Sequence, residues 1–360
     1  MKRLILLAFC ASLLWTGCSK SPAPKGPEQF DRYIFFSQQV ESKASLINSA
    51  TDMKGKSFGV VGFSYPASTT WGDLLGTTPL PTPNVFYDEN GALVNVETVS
   101  CDATTGAVSY APLQGWYGTQ KYAFFACYPV PAAGTAVSLV STTGQAYTGG
   151  APAIQYSNPS HEKALMVDVM TAPAIRNAYW KSATLNSDGT TAGNNPNGEL
   201  TFAFTHSLSS LGVKVKKSTT GGILVNSVSL AISGLKNQAV TIPLNDAART
   251  LTAATTTSAT CALTIANGEK TITEAGVEIA DKLIFIPQTD NATITVTINY
   301  TRQANGGYAE FTDTMTLSAV QTALQQGKKH LINLNFTESN VTVNVTTGEW
   351  TSYSVEHGFN

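Results

Sequence analysis

Residues 292–300 read ATITVTINY, in which Ile294, Val296, Ile298 and Tyr300 alternate with Thr293, Thr295, Thr297 and Asn299. A period of two puts the apolar set on one face and the threonines on the other, which predicts a half-buried strand. The same signature recurs on both sides of this stretch. Residues 200–205, 211–217, 223–232, 240–244, 283–287 and 331–336 read as strands, and Val341, Val343 and Val345 alternate with polar residues before Trp350. Toward the N-terminus, residues 57–65 (SFGVVGFSY), 85–87, 93–99, 121–128 (KYAFFACY) and 164–170 continue the series, with a hairpin signal at Asn90-Gly91. Only residues 318–326 (SAVQTALQQ) carry a helical pattern, closed by Gly327 with Lys328 and Lys329 at the negative end. Short strands with turns between them predict an all-β sandwich class and exclude βαβ units.

The composition agrees. Charged residues make up 13% of the 360-residue chain, against a norm of about 25%. Threonine, serine, asparagine and glycine carry the polarity instead, and these favour strands and turns. A net charge of −2 with no basic stripe argues against a nucleic-acid partner. A chain of this length exceeds one usual core, so two domains are expected. Residues 186–198 (NSDGTTAGNNPNG) are polar, glycine- and asparagine-rich and aperiodic, which makes them the expected linker. The expected bodies are then residues 30–185 and 199–360. One carboxylate, Asp188, at the wrong spacing excludes an EF-hand in that linker.

The first residues announce export. Lys2 and Arg3 precede an apolar run, residues 4–14, and Thr16-Gly17 stand before Cys18. This order predicts a signal peptide over residues 1–17, and the run is too short for a spanning helix. Thr16-Gly17-Cys18 resembles a lipobox, which implies a diacylglyceryl group on Cys18. Residues 18–29 (CSKSPAPKGPEQ) then form a proline-rich tether with nothing to bury. Three cysteines remain in the body, Cys101, Cys127 and Cys261. An odd count without C-x-x-C spacing is neither a disulfide framework nor a metal knuckle. A Cys101–Cys127 bridge and burial as small hydrophobes both stay open.

No catalytic, metal or cofactor pattern emerges. The chain lacks H-E-x-x-H, G-x-S-x-G and a phosphate-cradling glycine loop, and His161, His206, His330 and His357 have no metal spacing. His206 reads either as a base for Ser207 or Ser209 or as a strand-end histidine bonded to backbone. Asp168 reads as a half-buried carboxylate held by backbone N–H groups.

The segment after the tether is different. Tyr33, Ile34, Phe35 and Phe36 form a strongly apolar, β-prone stretch followed by polar SQQVESK. Exposed, such a strand would template aggregation, so it must lie in a sheet. Lys43-Ala44 follows in a polar context open to a trypsin-like protease. Together the lipobox, YIFFSQQVESKA, KYAFFACYP, LTFAFTHSLSSLGVKV and the ending GKKHLINLNFTESNVTVNVTTGEW resemble the fimbrillin family of Bacteroidetes lipoproteins. The resemblance implies two transthyretin-like Greek-key β-sandwich domains in tandem, secretion as a lipidated precursor anchored in the outer membrane through Cys18, and maturation by a trypsin-like protease. Lys43 stands where many members have arginine. It further implies that loss of the first strand opens a groove for a strand of another pilus subunit, giving a head-to-tail filament. Val341, Val343, Val345 and Trp350 mark the candidate donor. The ten residues after Trp350 span at most about 35 Å, and if this tail is built into the fold the subunit sits at the tip. The other readings are a non-polymerising surface adhesin for host or bacterial ligands, or a glycan-binding protein using Trp71, Trp116-Tyr117 and Tyr179-Trp180.

Overall fold

The computed structural model describes residues 32–40, 53–75, 82–117, 119–140, 151–158, 161–181, 184–186, 199–236, 239–244, 250–251, 256–263, 270–279, 282–304, 307–317 and 323–350. Cys18, the tether, Lys43-Ala44 and the last ten residues lie outside them. Strands are the dominant element among the described residues, with the short helix Trp71–Leu75 and the 3-10 turn Lys163–Leu165 beside them.

A nine-stranded sheet organises the N-terminal half. Its centre is Gln120–Tyr128 paired antiparallel with Ser57–Pro66, in register from Gly59 opposite Cys127 to Pro66 opposite Gln120. Both strands are buried nearly continuously because both faces are covered. One face carries Phe58, Val60, Tyr122 and Phe124 into an aromatic core with Phe86 and Phe202. The other carries Val61, Phe63, Phe125 and Cys127 into a second core with Trp71, Ile154, Ile242 and Trp350. That second face is roofed in part by a small sheet in which Ala153–Tyr156 pairs with Val240–Pro243. The Asn90-Gly91 hairpin forms as expected. Tyr87 bridges Leu93, Gly91 takes φ +79°, and the Asp88 carboxylate accepts from the Asn90 and Ala92 amides.

The C-terminal half is a sandwich. One sheet runs Val277–Glu278, Ser209–Lys217, Lys328–Phe336, Val341–Glu349, and the other runs Thr256–Leu263, Ile223–Lys236, Thr293–Ala304, Gly307–Leu317. Ile294, Val296, Ile298 and Tyr300 point into the core between them, while Thr295, Thr297 and Asn299 remain part-exposed, as the alternation predicts. Ser209–Lys217 and Lys328–Phe336 pair in parallel.

Several expectations are corrected. The helical pattern over 318–326 does not give a helix where it is described: Ala323, Leu324 and Gln325 are irregular and Gln326-Gly327 is a turn. Lys328 and Lys329 open a strand instead of closing a helix. Residues 164–170 are not a strand, since Lys163–Leu165 is a 3-10 turn and pairing begins only at Met170–Thr171. Cys101, Cys127 and Cys261 are free and buried. Cys101 belongs to the aromatic core and Cys127 to the core on the other face of the sheet, so they do not bridge. The linker reading also meets a finding about pairing. Thr184–Asn186 and Glu199–His206 flank residues 186–198, yet both lie in the nine-stranded sheet.

A candidate strand-exchange site

The first strand closes the edge of the nine-stranded sheet. Its alternation decides its orientation: Ile34 and Phe36 are buried, whereas Tyr33 and Phe35 are 41% and 40% exposed. Phe36 sits in an aromatic box, its ring centroid 5.3 Å from Tyr110, 5.6 Å from Phe124 and Phe202 and 6.1 Å from Phe86. Burying Ile34 and Phe36 contributes roughly 1.5–3 kcal/mol each, and the ring pairs add to it.

Hydrogen bonding holds the strand on both sides. Phe35–Val40 pairs in parallel with Glu199–Phe204, residue for residue over six positions. Arg32–Tyr33 pairs antiparallel with Gly115–Trp116, and the Ile34 amide donates to the Gln114 carbonyl at 2.8 Å. The Tyr110 hydroxyl donates to the Ile34 carbonyl at 2.9 Å and accepts from the Gln114 amide. Burial pushes the Tyr110 phenol far above its usual range, so it stays a donor. Nothing in the sequence around Tyr110 signals this clasp, because it depends on a loop meeting a strand 76 positions away.

The partner strand is paired on both sides. Positions 199–204 pair with the first strand, and Thr205 and His206 pair on the other side with Thr171 and Met170. Taking the first strand away would uncover Phe202, Phe124, Phe86 and Tyr110. It would also remove the six-position pairing of the first strand with Glu199–Phe204. An apolar groove with unpaired amides and carbonyls along its wall is what an incoming strand fits.

The candidate donor residues are built into the C-terminal sheet. Val341–Glu349 is an edge strand paired over nine positions with Lys328–Phe336. Val341, Val343 and Val345 pack, half-buried, on the C-terminal core. Trp350 is buried in the core beneath the nine-stranded sheet, its ring stacked on His206 at 4.1 Å and 7°.

His206 meets a buried carboxylate. Its Nδ1 lies 2.9 Å from the Asp168 carboxylate, with both side chains buried. Asp168 is therefore held by an imidazole rather than by backbone amides alone. Ser207 hydrogen-bonds the Thr171 hydroxyl, and the imidazole face is covered by Trp350, so this grouping does not present a nucleophile to a substrate. Trp71 and Trp116 are core residues rather than a sugar platform. Among the described residues no cluster of histidine, cysteine or carboxylates could hold a metal, and no helix is long and apolar enough to cross a membrane.

An all-β body closed by its own N-terminal strand defines the class. A sequence model of the fimbrillin-like family matches residues 82–350, and the chain belongs to that family. A solved fimbrial protein from Bacteroides vulgatus aligns over 89% of this chain and 100% of its own, at 18% identity and a TM-score of 0.60, and so has a similar fold. A candidate cell adhesion protein from Bacteroides ovatus covers 90% of this chain and 99% of its own at 14% identity and a TM-score of 0.47. Another from Bacteroides uniformis covers 89% and 99% at 16% identity and 0.45. No curated protein matches the chain.

Proposed function

We propose that this chain is a structural subunit of a cell-surface pilus that serves adhesion, with the first strand as the closure of its assembly groove. In this reading the precursor is carried to the outer membrane by a lipid on Cys18, and a trypsin-like protease cuts between Lys43 and Ala44. The first strand leaves, and a strand of a neighbouring subunit takes its place by donor-strand exchange. The observation that carries the proposal is the six-position pairing of the first strand with Glu199–Phe204 at the edge of the sheet, which ends three residues before Lys43. The groove beneath it is lined by rings, and so presents both shape and backbone donors to a new strand.

The candidate donor is the C-terminal segment with Val341, Val343, Val345 and Trp350. Its burial of Trp350 and its nine-position pairing favour a subunit at the tip, where no donor is needed. A non-polymerising surface adhesin is the second reading, favoured by the same pairing of Val341–Glu349 and burial of Trp350. Limited trypsin digestion of the lipid-free mature chain, with N-terminal sequencing and size analysis, tests the proposal. The expected result is one clean cut after Lys43 with loss of the strand. A chain that resists cleavage there and stays whole and monomeric would overturn the maturation step.

A further inference from the structure

We propose that the depression beside the Asn90-Gly91 hairpin is a docking site for a partner protein, which places one arginine or lysine side chain against Glu97. Asp88, Glu89 and Glu97 line the depression with carboxylates, and Val94, Val96 and Ala111 line it with apolar side chains. Its volume is about 330 Å³, and among the described residues no lysine, arginine, histidine or aromatic ring lines it. None of these residues belongs to the aromatic groove under the first strand, so the inference does not rest on strand exchange.

Glu97 is the unusual member. It opens the strand Glu97–Cys101, in which positions 97, 99 and 101 are buried and 98 and 100 are exposed. Val99 and Cys101 belong to the aromatic core, so a carboxylate stands where a third apolar residue would continue that face. Glu97 is 8% exposed. Its carboxylate accepts from the Thr98 amide, and among the described residues no cation pairs with it. Burying a carboxylate without a counter-charge works against folding, and its carboxyl is pushed up to about 7. A group that costs stability while lining a cleft points to a binding role. Backbone pairing holds the site in shape before any ligand arrives. Glu97 lies opposite Val60, the Asp88 amide donates to the Ala92 carbonyl, and the Val94 amide donates to the Phe86 carbonyl.

The chemistry of the lining selects the ligand. One oxygen of Asp88 is taken by the Asn90 and Ala92 amides, which leaves Glu89 and Glu97 as the acceptors an incoming group meets. Two negatively charged acceptors call for a cation rich in N–H donors. A metal ion does not fit, because among the described residues no three carboxylates, histidines or cysteines stand close enough to hold one. An arginine or lysine side chain carries its donors at the end of an alkyl stem, and Val94, Val96 and Ala111 offer that stem an apolar wall. The volume stands at the small end of ligand pockets, which suits a single side chain. A protein is the source rather than a free amine because apolar surface continues on the same hairpin. Tyr87 and Leu93 bridge one another there and are 38% and 53% exposed. An acidic pocket beside exposed tyrosine and leucine matches an arginine anchor with apolar neighbours, a common centre of protein interfaces.

NMR titration of the lipid-free mature chain with a capped peptide, Gly-Leu-Arg-Leu-Gly, tests the site. The expected result is a saturable shift of amides in 88–98 and at Ala111. The same peptide with citrulline, which keeps the shape of arginine without its charge, is expected to bind at least about tenfold more weakly. Glu97→Gln keeps the size of the side chain and removes its charge, and is expected to weaken the arginine peptide by about the same factor. Glu97→Asp withdraws the charge by one methylene, weakens binding in the same sense, and serves if Glu97→Gln does not fold. Agmatine, a free guanidinium without a peptide, is expected to bind more weakly than the peptide. Equal binding of the arginine and citrulline peptides, native affinity in the Glu97 variants, or no saturable shift at these amides would overturn the site. Agmatine binding as tightly as the peptide would overturn the assignment of a protein partner. None of these outcomes depends on cleavage at Lys43 or on polymer growth, so the pilus reading stands or falls separately.

Discussion

Three side chains show how single residues set the behaviour of this protein. Phe36 fills a box of four rings from different parts of the chain. Phe36→Ala is expected to cost about 3 kcal/mol, read as a lower denaturant midpoint, through lost transfer energy and the cavity left behind. His330 is fully buried; its Nε2 accepts from the Gln325 amide and its Nδ1 lies 3.0 Å from the Thr347 hydroxyl. Burial holds its imidazole down at about 4. A lowered folded-state value means the contribution is complete above pH 6.5 and is lost as pH falls toward 4. Glu97 behaves oppositely, since burial pushes its carboxyl up to about 7 despite an N–H bond from Thr98. Its contribution is complete below pH 4.5 and is lost as pH rises through 7. Glu97→Gln should therefore gain stability relative to the native chain as pH rises from 4.5 to 7, and be level with it near pH 4. His330→Gln should gain relative to native as pH falls from 6.5 to 4. Chemical denaturation across that range checks both signs.

At the scale of the element, the turn at Gln326-Gly327 starts Lys328–Phe336 and meets the end of Val341–Glu349. Gly327 takes φ +64° with the His206 carbonyl close by, and its amide donates to Leu208. Gly327→Ala is expected to cost about 1–2 kcal/mol, since a Cβ is strained in the left-handed region and crowds that carbonyl. Thermal unfolding of the variant measures it. Of the stretch with the helical pattern, residues 318–322 lie outside the described residues. Ala319, Val320 and Leu324 have helical spacing, but Leu324 is buried in the C-terminal core and the following residues serve the turn. Strands with a full apolar face were legible, as residues 292–300 show. The edge strands Thr256–Leu263 and Gly307–Leu317 were missed. Each pairs with one long neighbour only, and threonines with Glu310 and Asp313 blur the apolar alternation that a central strand needs.

For the whole molecule, the fold class was readable and the wiring was not. Alternation gives a strand its faces, but the partner it chooses depends on contacts far along the chain. Glu199–His206 follows the polar segment 186–198 and reads like the start of a new body, yet it pairs with Phe35–Val40. Val240–Pro243 likewise crosses back to Ala153–Tyr156. The first strand was legible as a strand because its hydrophobicity and position were local. The Tyr110 clasp and the His206–Trp350 stack were not, since each joins residues more than 70 positions apart. The central claim is that the first strand occupies a groove that another strand can fill. Its most direct test is binding of a fluorescent peptide with the sequence of residues 32–40 to the chain before and after removal of its own first strand. The stripped chain is expected to bind the peptide saturably and one to one, and the intact chain not at all, as measured by fluorescence anisotropy. A stripped chain that stays folded yet does not bind the peptide would contradict it.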